Sequence, residues 1–200
     1  MKRRLKKYLV STFMFSSLFV LGYSIANAAT GSQYLFIGNF PASDVKAIGY
    51  VMSGGNSSYQ KNIMKAGVES WNGISTKVRV LYDNEDAKIS VYKSSSSVSG
   101  LNGRMDPYYE NSLGQLKLDK NLNNIWAVAD IFGFDNNMDV LKLTDDEKKA
   151  VYIHEMGHVL SLKHNDSTYY LIMNTDTRDT AAALTLKSDD KGNLKLKWGK

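Results

Sequence analysis

The chain has 200 residues, no cysteine, and 25 basic against 20 acidic residues. The excess of positive charge lies entirely within residues 1–28, so the rest of the chain is formally neutral, and its charge gives no support for nucleic-acid or anionic-membrane binding. Without cysteine there are no disulfides and no lipid-modified amino-terminal cysteine, so a hydrophobic core must supply the stability.

Residues 1–28 are predicted to be a secretory signal peptide. A basic start precedes a largely apolar stretch from Tyr8 to Ile25, and Ala26-Asn27-Ala28 has the small-residue pattern of a cleavage site. An uncleaved membrane anchor is the alternative. We expect a secreted protein, free in the medium or associated with the cell wall, and the cysteine-free composition suits a Gram-positive bacterium.

Residues 29–43 are predicted to be a short extended segment or a pro-segment, and residues 44–200 to be one folded domain. The elements predicted at its start are a strand at 46–52, an amphipathic helix at 58–72, and strands at 78–82, 88–92, 104–109 and 114–120. A serine- and glycine-rich stretch at 94–103 is predicted to be a mobile surface loop.

Asp135, Asn137 and Asp139 alternate as the ligands at the start of a calcium loop do. The sixth position of such a loop should be glycine, and Val140 occupies it. The pattern therefore favours a plain polar turn, with a structural calcium ion as the alternative.

A capping box at Thr144 and Glu147 predicts the start of a helix that runs into an apolar stretch, Ala150 to Leu162. Glu155 is the only carboxylate in that stretch. A lone carboxylate in a buried helix is costly unless it has a partner or a chemical role, and this marks Glu155 as a candidate general base.

All three histidines of the chain follow within eleven residues, at positions 154, 158 and 164. Because His154 and His158 are four residues apart on a helix, both imidazoles project from one face and can ligate one zinc ion. His164 would be turned about 240° from His158 on the same helix, so the helix must end between them. A glutamate as third ligand is excluded because none follows Glu155, and Asp166 is predicted to be a turn residue, with a ligand role as the alternative.

This stretch resembles the signature of the metzincin metallopeptidases, His-Glu-x-x-His-x-x-Gly-x-x-His followed by a methionine turn. Ser161 stands at the glycine position, where a left-handed residue other than glycine costs roughly 1–2 kcal/mol. Met173 stands where the resemblance asks for the supporting methionine. Tyr169 and Tyr170 precede Met173, unlike the tyrosine near the metal in some relatives, and we leave them out of the site.

The resemblance implies an α+β fold: a twisted mixed sheet, two long helices of which one carries the zinc motif, and a small C-terminal subdomain ending in a helix near Trp198. It also implies that one strand, in our interpretation the one with Arg104 and Met105, forms the sheet edge that lines the cleft.

The predicted function is a zinc-dependent endopeptidase, most like a minimal bacterial matrixin-type catalytic domain, that acts as a monomer on proteins or peptides. One Zn²⁺ held by His154, His158 and His164 would activate water, and Glu155 would shuttle the proton. No nucleic-acid partner is expected, and no membrane contact after signal cleavage. The alternatives are a non-catalytic zinc-binding or adhesion module and a cell-wall peptide amidase.

Overall fold

The computed structural model of the chain describes residues 30–53, 57–168, 170–175 and 184–200. They form an α+β fold around a six-stranded mixed sheet, which confirms the predicted fold class. The helices are α1 (Ala42–Val45), α2 (Ser58–Val68), α3 (Asp135–Val140), α4 (Asp145–Val159) and α5 (Ser188–Trp198). The strands are β1 (Ile48–Met52), β2 (Val80–Tyr82), β3 (Ala87–Ser94), β4 (Gly103–Glu110), β5 (Leu116–Leu118) and β6 (Val128–Phe134).

The strands lie in the order β2-β1-β3-β6-β4-β5. The first four of these are parallel to one another, whereas β4 is antiparallel to both β6 and β5. Strand β6 thus joins the parallel and antiparallel halves of the sheet, and no sequence prediction covered it. Its sequence is an apolar run without the polar alternation of a half-exposed strand, as expected for a strand near the middle of a sheet.

A four-residue turn, 83–86, carries the chain from β2 to β3 across the end of β1. The two strands do not pair with each other, since β1 lies between them. Gly49 of β1 makes the short crossing feasible, because a Cβ at this position would lie 3.0 Å from the Asp86 carbonyl oxygen and 3.1 Å from Asp83 Cβ. The register of β1 against β3 also shifts beside Gly49.

Helices α2 and α4 pack on each other and cover one face of the sheet. One continuous core fills the space between them, and its largest fully buried members include Trp71, Tyr50 and Trp126. Trp71 follows α2 on a short 3-10 turn, and its indole N–H donates to the Ile153 carbonyl of α4 at 2.8 Å. The predicted helix at 58–72 is therefore α2 plus this turn.

The segment 30–41 packs into the domain along its described length. The Phe40 side chain is fully buried in the core. The Phe36 N–H donates to the Ser161 carbonyl, and the Lys163 N–H donates to the Tyr34 carbonyl. These contacts make the segment a structural part of the described domain. The predicted signal peptide lies outside the described residues.

The stretch 94–103, predicted to be a mobile loop, is tied to α3. The Asn137 side-chain amide donates to the carbonyls of Val98 and Leu101, both at 2.7 Å, and Asn136 exchanges hydrogen bonds with the backbone of Ser96. Two asparagines therefore fix the loop that precedes β4.

The calcium alternative at 135–139 is not supported. These residues form the short helix α3. Asp135 pairs with Lys93 and Asp139 with Lys148, and the amide of Asn137 is used as a donor. The three side chains point to different partners and share no ligand position. In the described part of the chain, no helix is long and apolar enough to cross a membrane.

Candidate zinc centre

Helix α4 supplies the first two histidines. Thr144 caps it with the predicted capping box to Glu147, and every residue from Ala150 to Val159 is buried. Burial fixes this helix against the sheet, so the face that carries His154 and His158 is held at the mouth of a cleft.

A tight turn after α4 brings His164 back towards the other two histidines. The Leu162 N–H donates to the Gly157 carbonyl and the Ser161 N–H to the His158 carbonyl, which is a Schellman motif with Ser161 at its left-handed position. Ser161 has a φ of 67°, the conformation predicted from its place in the motif. Its side chain is fully buried, and its hydroxyl has no hydrogen-bond partner among the described residues.

The three histidines converge through their Nε2 atoms. His164 Nε2 lies 3.1 Å from His154 Nε2 and 3.2 Å from His158 Nε2. Four ligands placed tetrahedrally at about 2.0–2.1 Å from a zinc ion are separated by about 3.3 Å, so the spacing fits such an ion.

Backbone carbonyls orient the two buried imidazoles. His154 Nδ1 lies 2.6 Å from the Ile172 carbonyl and His158 Nδ1 lies 2.8 Å from the Leu162 carbonyl. A carbonyl accepts only, so each Nδ1 carries the proton and each Nε2 presents a lone pair. Both lone pairs are directed towards the point where His164 Nε2 also lies, so the three ring nitrogens fit a single metal ion.

The protonation states agree with this geometry. Burial lowers the pKa of His154 to about 4, holds the pKa of His158 well below its usual value, and also lowers that of His164. All three rings are then neutral at pH 7, the state in which imidazole binds metals.

Met173 lies beneath the histidines. Its sulfur and the Trp71 ring pack against Gly157, the α4 residue immediately before His158. The contact is so close that a Cβ at Gly157 would overlap both groups. The backbone next to Met173 also contributes to the site, because the Ile172 carbonyl orients His154. Asp190 of α5 accepts from the backbone N–H groups of Ile172 and Met173, both at 3.3 Å, and holds this turn in place.

Glu155 is buried beside the histidines. Its side chain is 6% exposed and lies against the first residue of β4, so that a Cβ at Gly103 would be 2.6 Å from Glu155 Oε1. Burial raises the pKa of Glu155 to about 8, with a further contribution from the nearby charge of Asp106. A carboxyl group with a raised pKa in a cleft is suited to proton transfer.

A cleft of about 660 Å³ contains all three histidines and Glu155. Gly103, Arg104 and Met105 of β4 line it. The strand is not the topological edge, since β5 lies outside it, but β5 pairs only with Tyr108–Glu110. The prediction that this strand forms the sheet edge is therefore wrong for the strand as a whole. The cleft half of β4 nevertheless has no strand partner on its outer side among the described residues.

The free side of β4 exposes particular backbone groups. The Phe134 N–H donates to the Asn102 carbonyl and the Ala127 N–H to the Tyr108 carbonyl, so even-numbered residues of β4 face β6. By the alternation of the ladder, the N–H and C=O of Gly103 and Met105 point outward along the cleft.

Asp166 is not among the side chains that converge. The Asp166 carboxylate accepts from the N–H and the hydroxyl of Thr175, at 2.7 and 2.9 Å, as expected of a turn residue. Tyr170 is exposed, and Tyr169 lies outside the described residues.

Sequence reasoning missed Phe36 and Lys163. The Phe36 ring lies 5.7 Å from the His158 ring, and Phe36 and Lys163 both line the cleft. The apolar run at 34–37 shows that this segment packs against something, but no sequence pattern shows that it packs beside a histidine 122 positions later.

No family model matches the sequence, and no curated protein matches it. Among solved structures, the chain is similar to two structures of myroilysin, with TM-scores of 0.48, identities of 11% and 12%, and coverage of 81% and 86% of this chain and 96% and 95% of theirs. It is also similar to high choriolytic enzyme 1, a hatching enzyme zinc-protease from Oryzias latipes, with a TM-score of 0.36, 13% identity, and coverage of 67% of this chain and 52% of that one. In its histidine motif and its turn at Met173, the chain resembles the metzincin zinc metallopeptidases.

Proposed function

We propose that this protein is a secreted zinc endopeptidase of the metzincin type, most like a minimal matrixin catalytic domain. The observation that carries the proposal is the convergence of three neutral imidazoles, with a buried carboxylate beside them, inside a cleft bordered by an open strand edge. Secretion is inferred from the sequence of residues 1–28 alone.

His154, His158 and His164 would hold the metal through Nε2. When bound, zinc lowers the pKa of water to about 7 and polarises a carbonyl. Three protein ligands leave one position of a tetrahedral ion open to the cleft, which is the arrangement of catalytic rather than structural zinc sites.

Glu155 is the general base in this proposal. Its carboxylate accepts the proton of the attacking water and returns it to the leaving amine nitrogen. The assignment rests on its position, since Glu155 is buried and lines the same cleft as the three histidines.

The open half of β4 binds the substrate. An extended peptide would add to the sheet through the outward N–H and C=O groups of Gly103 and Met105. Main-chain pairing of this kind holds a peptide bond in register without reading its side chains, which suits an endopeptidase.

The decisive experiment uses purified protein and Glu155→Ala at equal zinc content on a mixed peptide library. We expect chelator-sensitive internal cuts by the wild type only, with zinc retained in the variant. His154→Ala is the matched control, since it should lose both zinc and activity. Cleavage by Glu155→Ala would refute the mechanism, and zinc binding without cleavage by the wild type would favour an inert zinc module. Purified cell wall as a parallel substrate tests the amidase alternative.

A further inference from the structure

The cleft wall formed by the returning chain carries an aromatic ring and a cation. Lys163 lies between Leu162 and His164, and its backbone N–H is fixed by the Tyr34 carbonyl at 2.7 Å. Its Nζ atom lies 5.9 Å from the centroid of the Phe36 ring. The Lys163 ammonium is thus held beside the Phe36 ring on the wall of the cleft.

Of the two cationic side chains that line the cleft, Lys163 is the one without an ion-pair partner among the described residues. The other lining cation, Arg104, pairs with Asp106 at 2.8 Å and lies over the Phe132 ring. The carboxylate of Asp166, three residues after Lys163, accepts hydrogen bonds from Thr175. In the part of the chain that the structure describes, no ion pair includes Lys163.

We propose that Lys163 makes the cleft selective for peptides that place a carboxylate beside Phe36 on the cleft wall. The inference rests on the proposed peptidase function and adds its substrate class. A partly buried ammonium gains a charge-assisted hydrogen bond from a substrate carboxylate, while its aliphatic stem keeps contact with Phe36. Loss of a contact of this kind lowers kcat/KM by roughly 10- to 100-fold.

The carboxylate can come from an acidic side chain or from the free carboxyl terminus of a peptide. The test therefore uses matched peptides that differ only by Glu or Gln at single positions around the cleaved bond, each with a free and an amidated terminus. Wild type, Lys163→Met and Lys163→Glu are compared at equal zinc content, because Lys163 adjoins His164. Lys61→Met serves as the control, since Lys61 is an exposed lysine of α2 outside the cleft.

We expect wild type and Lys61→Met to prefer Glu over Gln by 10- to 100-fold at one position, Lys163→Met to lose the preference, and Lys163→Glu to invert it, so that Gln is preferred over Glu. A preference that depends on the free terminus instead supports the proposal and assigns the α-carboxylate as the ligand. An active wild type without any carboxylate preference, or a preference that survives in Lys163→Met, would overturn it.

A binding measurement separates this inference from the proposed function. The dissociation constants of the Glu and Gln peptides are measured on zinc-loaded Glu155→Ala with and without Lys163→Met. Tighter binding of the acidic peptide that depends on Lys163 supports the inference even if the wild type cleaves nothing. Equal binding of both peptides refutes it, whatever the activity.

Discussion

Replacement of Ser161 by glycine should stabilise the protein, although it removes atoms from the core. Ser161 has a φ of 67°, and its buried hydroxyl has no hydrogen-bond partner in the part of the chain that the structure describes. Glycine relieves about 1–2 kcal/mol of left-handed strain and removes an unsatisfied buried hydroxyl that costs roughly 1–3 kcal/mol. Against this, glycine adds about 0.5–1 kcal/mol of unfolded-state entropy and gives up about 0.8 kcal/mol of buried methylene.

The expected net gain is about 1–3 kcal/mol in the free energy of unfolding. For a domain of this size, each kcal/mol raises Tm by about 2–4 °C. The assay is denaturant and thermal unfolding of metal-free protein, because bound zinc would add its own stabilisation to both the wild type and the variant.

Ser161→Ala separates the two contributions. It removes the hydroxyl but keeps a Cβ at positive φ, so the alanine variant lacks the strain relief of about 1–2 kcal/mol but also avoids the loss of about 1.3–1.8 kcal/mol in chain entropy and buried methylene. An alanine variant that is more stable than the glycine variant by that full loss would show that Ser161 carries no left-handed strain. Destabilisation by both would show that the hydroxyl has a stabilising partner.

Two further predictions concern the neighbours of the site. In Gly103→Ala the new methyl group would lie 2.6 Å from Glu155 Oε1, so we expect at least a 10-fold fall in kcat at unchanged zinc content, and wild-type turnover would contradict the contact. Removal of residues 29–41 deletes the fully buried Phe40 and the backbone bonds to Ser161 and Lys163, so it should cost at least about 3 kcal/mol of stability and abolish activity; increased activity after trimming would instead identify a pro-segment.

The residues that converge at the site are close together in the sequence, and this is why they were predictable. His154, Glu155 and His158 share one helical turn and a half, and helix periodicity alone fixes their common face. A helix end between His158 and His164 also follows from local chain geometry, whereas the left-handed conformation at Ser161 was implied only by the family resemblance. The carbonyls of Ile172 and Leu162 that orient the imidazoles were not predictable, since every residue has a carbonyl and only the fold selects which ones face a histidine.

The sheet was predicted less completely because strand pairing is not local. The chain between β5 and α3 lacks the alternation that marks a half-exposed strand, and β6 was missed although it lies between β3 and β4. Strand β4 is not the edge of the sheet because β5 pairs with its far end, Tyr108–Glu110. Strand β6 pairs with β4 on one side, whereas β5 pairs on the other side with residues 108–110 only. The cleft half of β4 is therefore open because β5 is short.

That shortness has a physical basis in the chain itself. Pro107 lacks an N–H, and its carbonyl accepts from Asp119 just beyond the end of β5. Asp119 is then committed to the turn that follows, where its carboxylate accepts from the backbone N–H groups of Asn123 and Asn124 and from the Trp126 indole. The chain after β5 is therefore drawn into this turn and cannot continue along β4 towards Gly103. The open edge beside Glu155 is thus maintained by a buried aspartate that has no contact with the histidines.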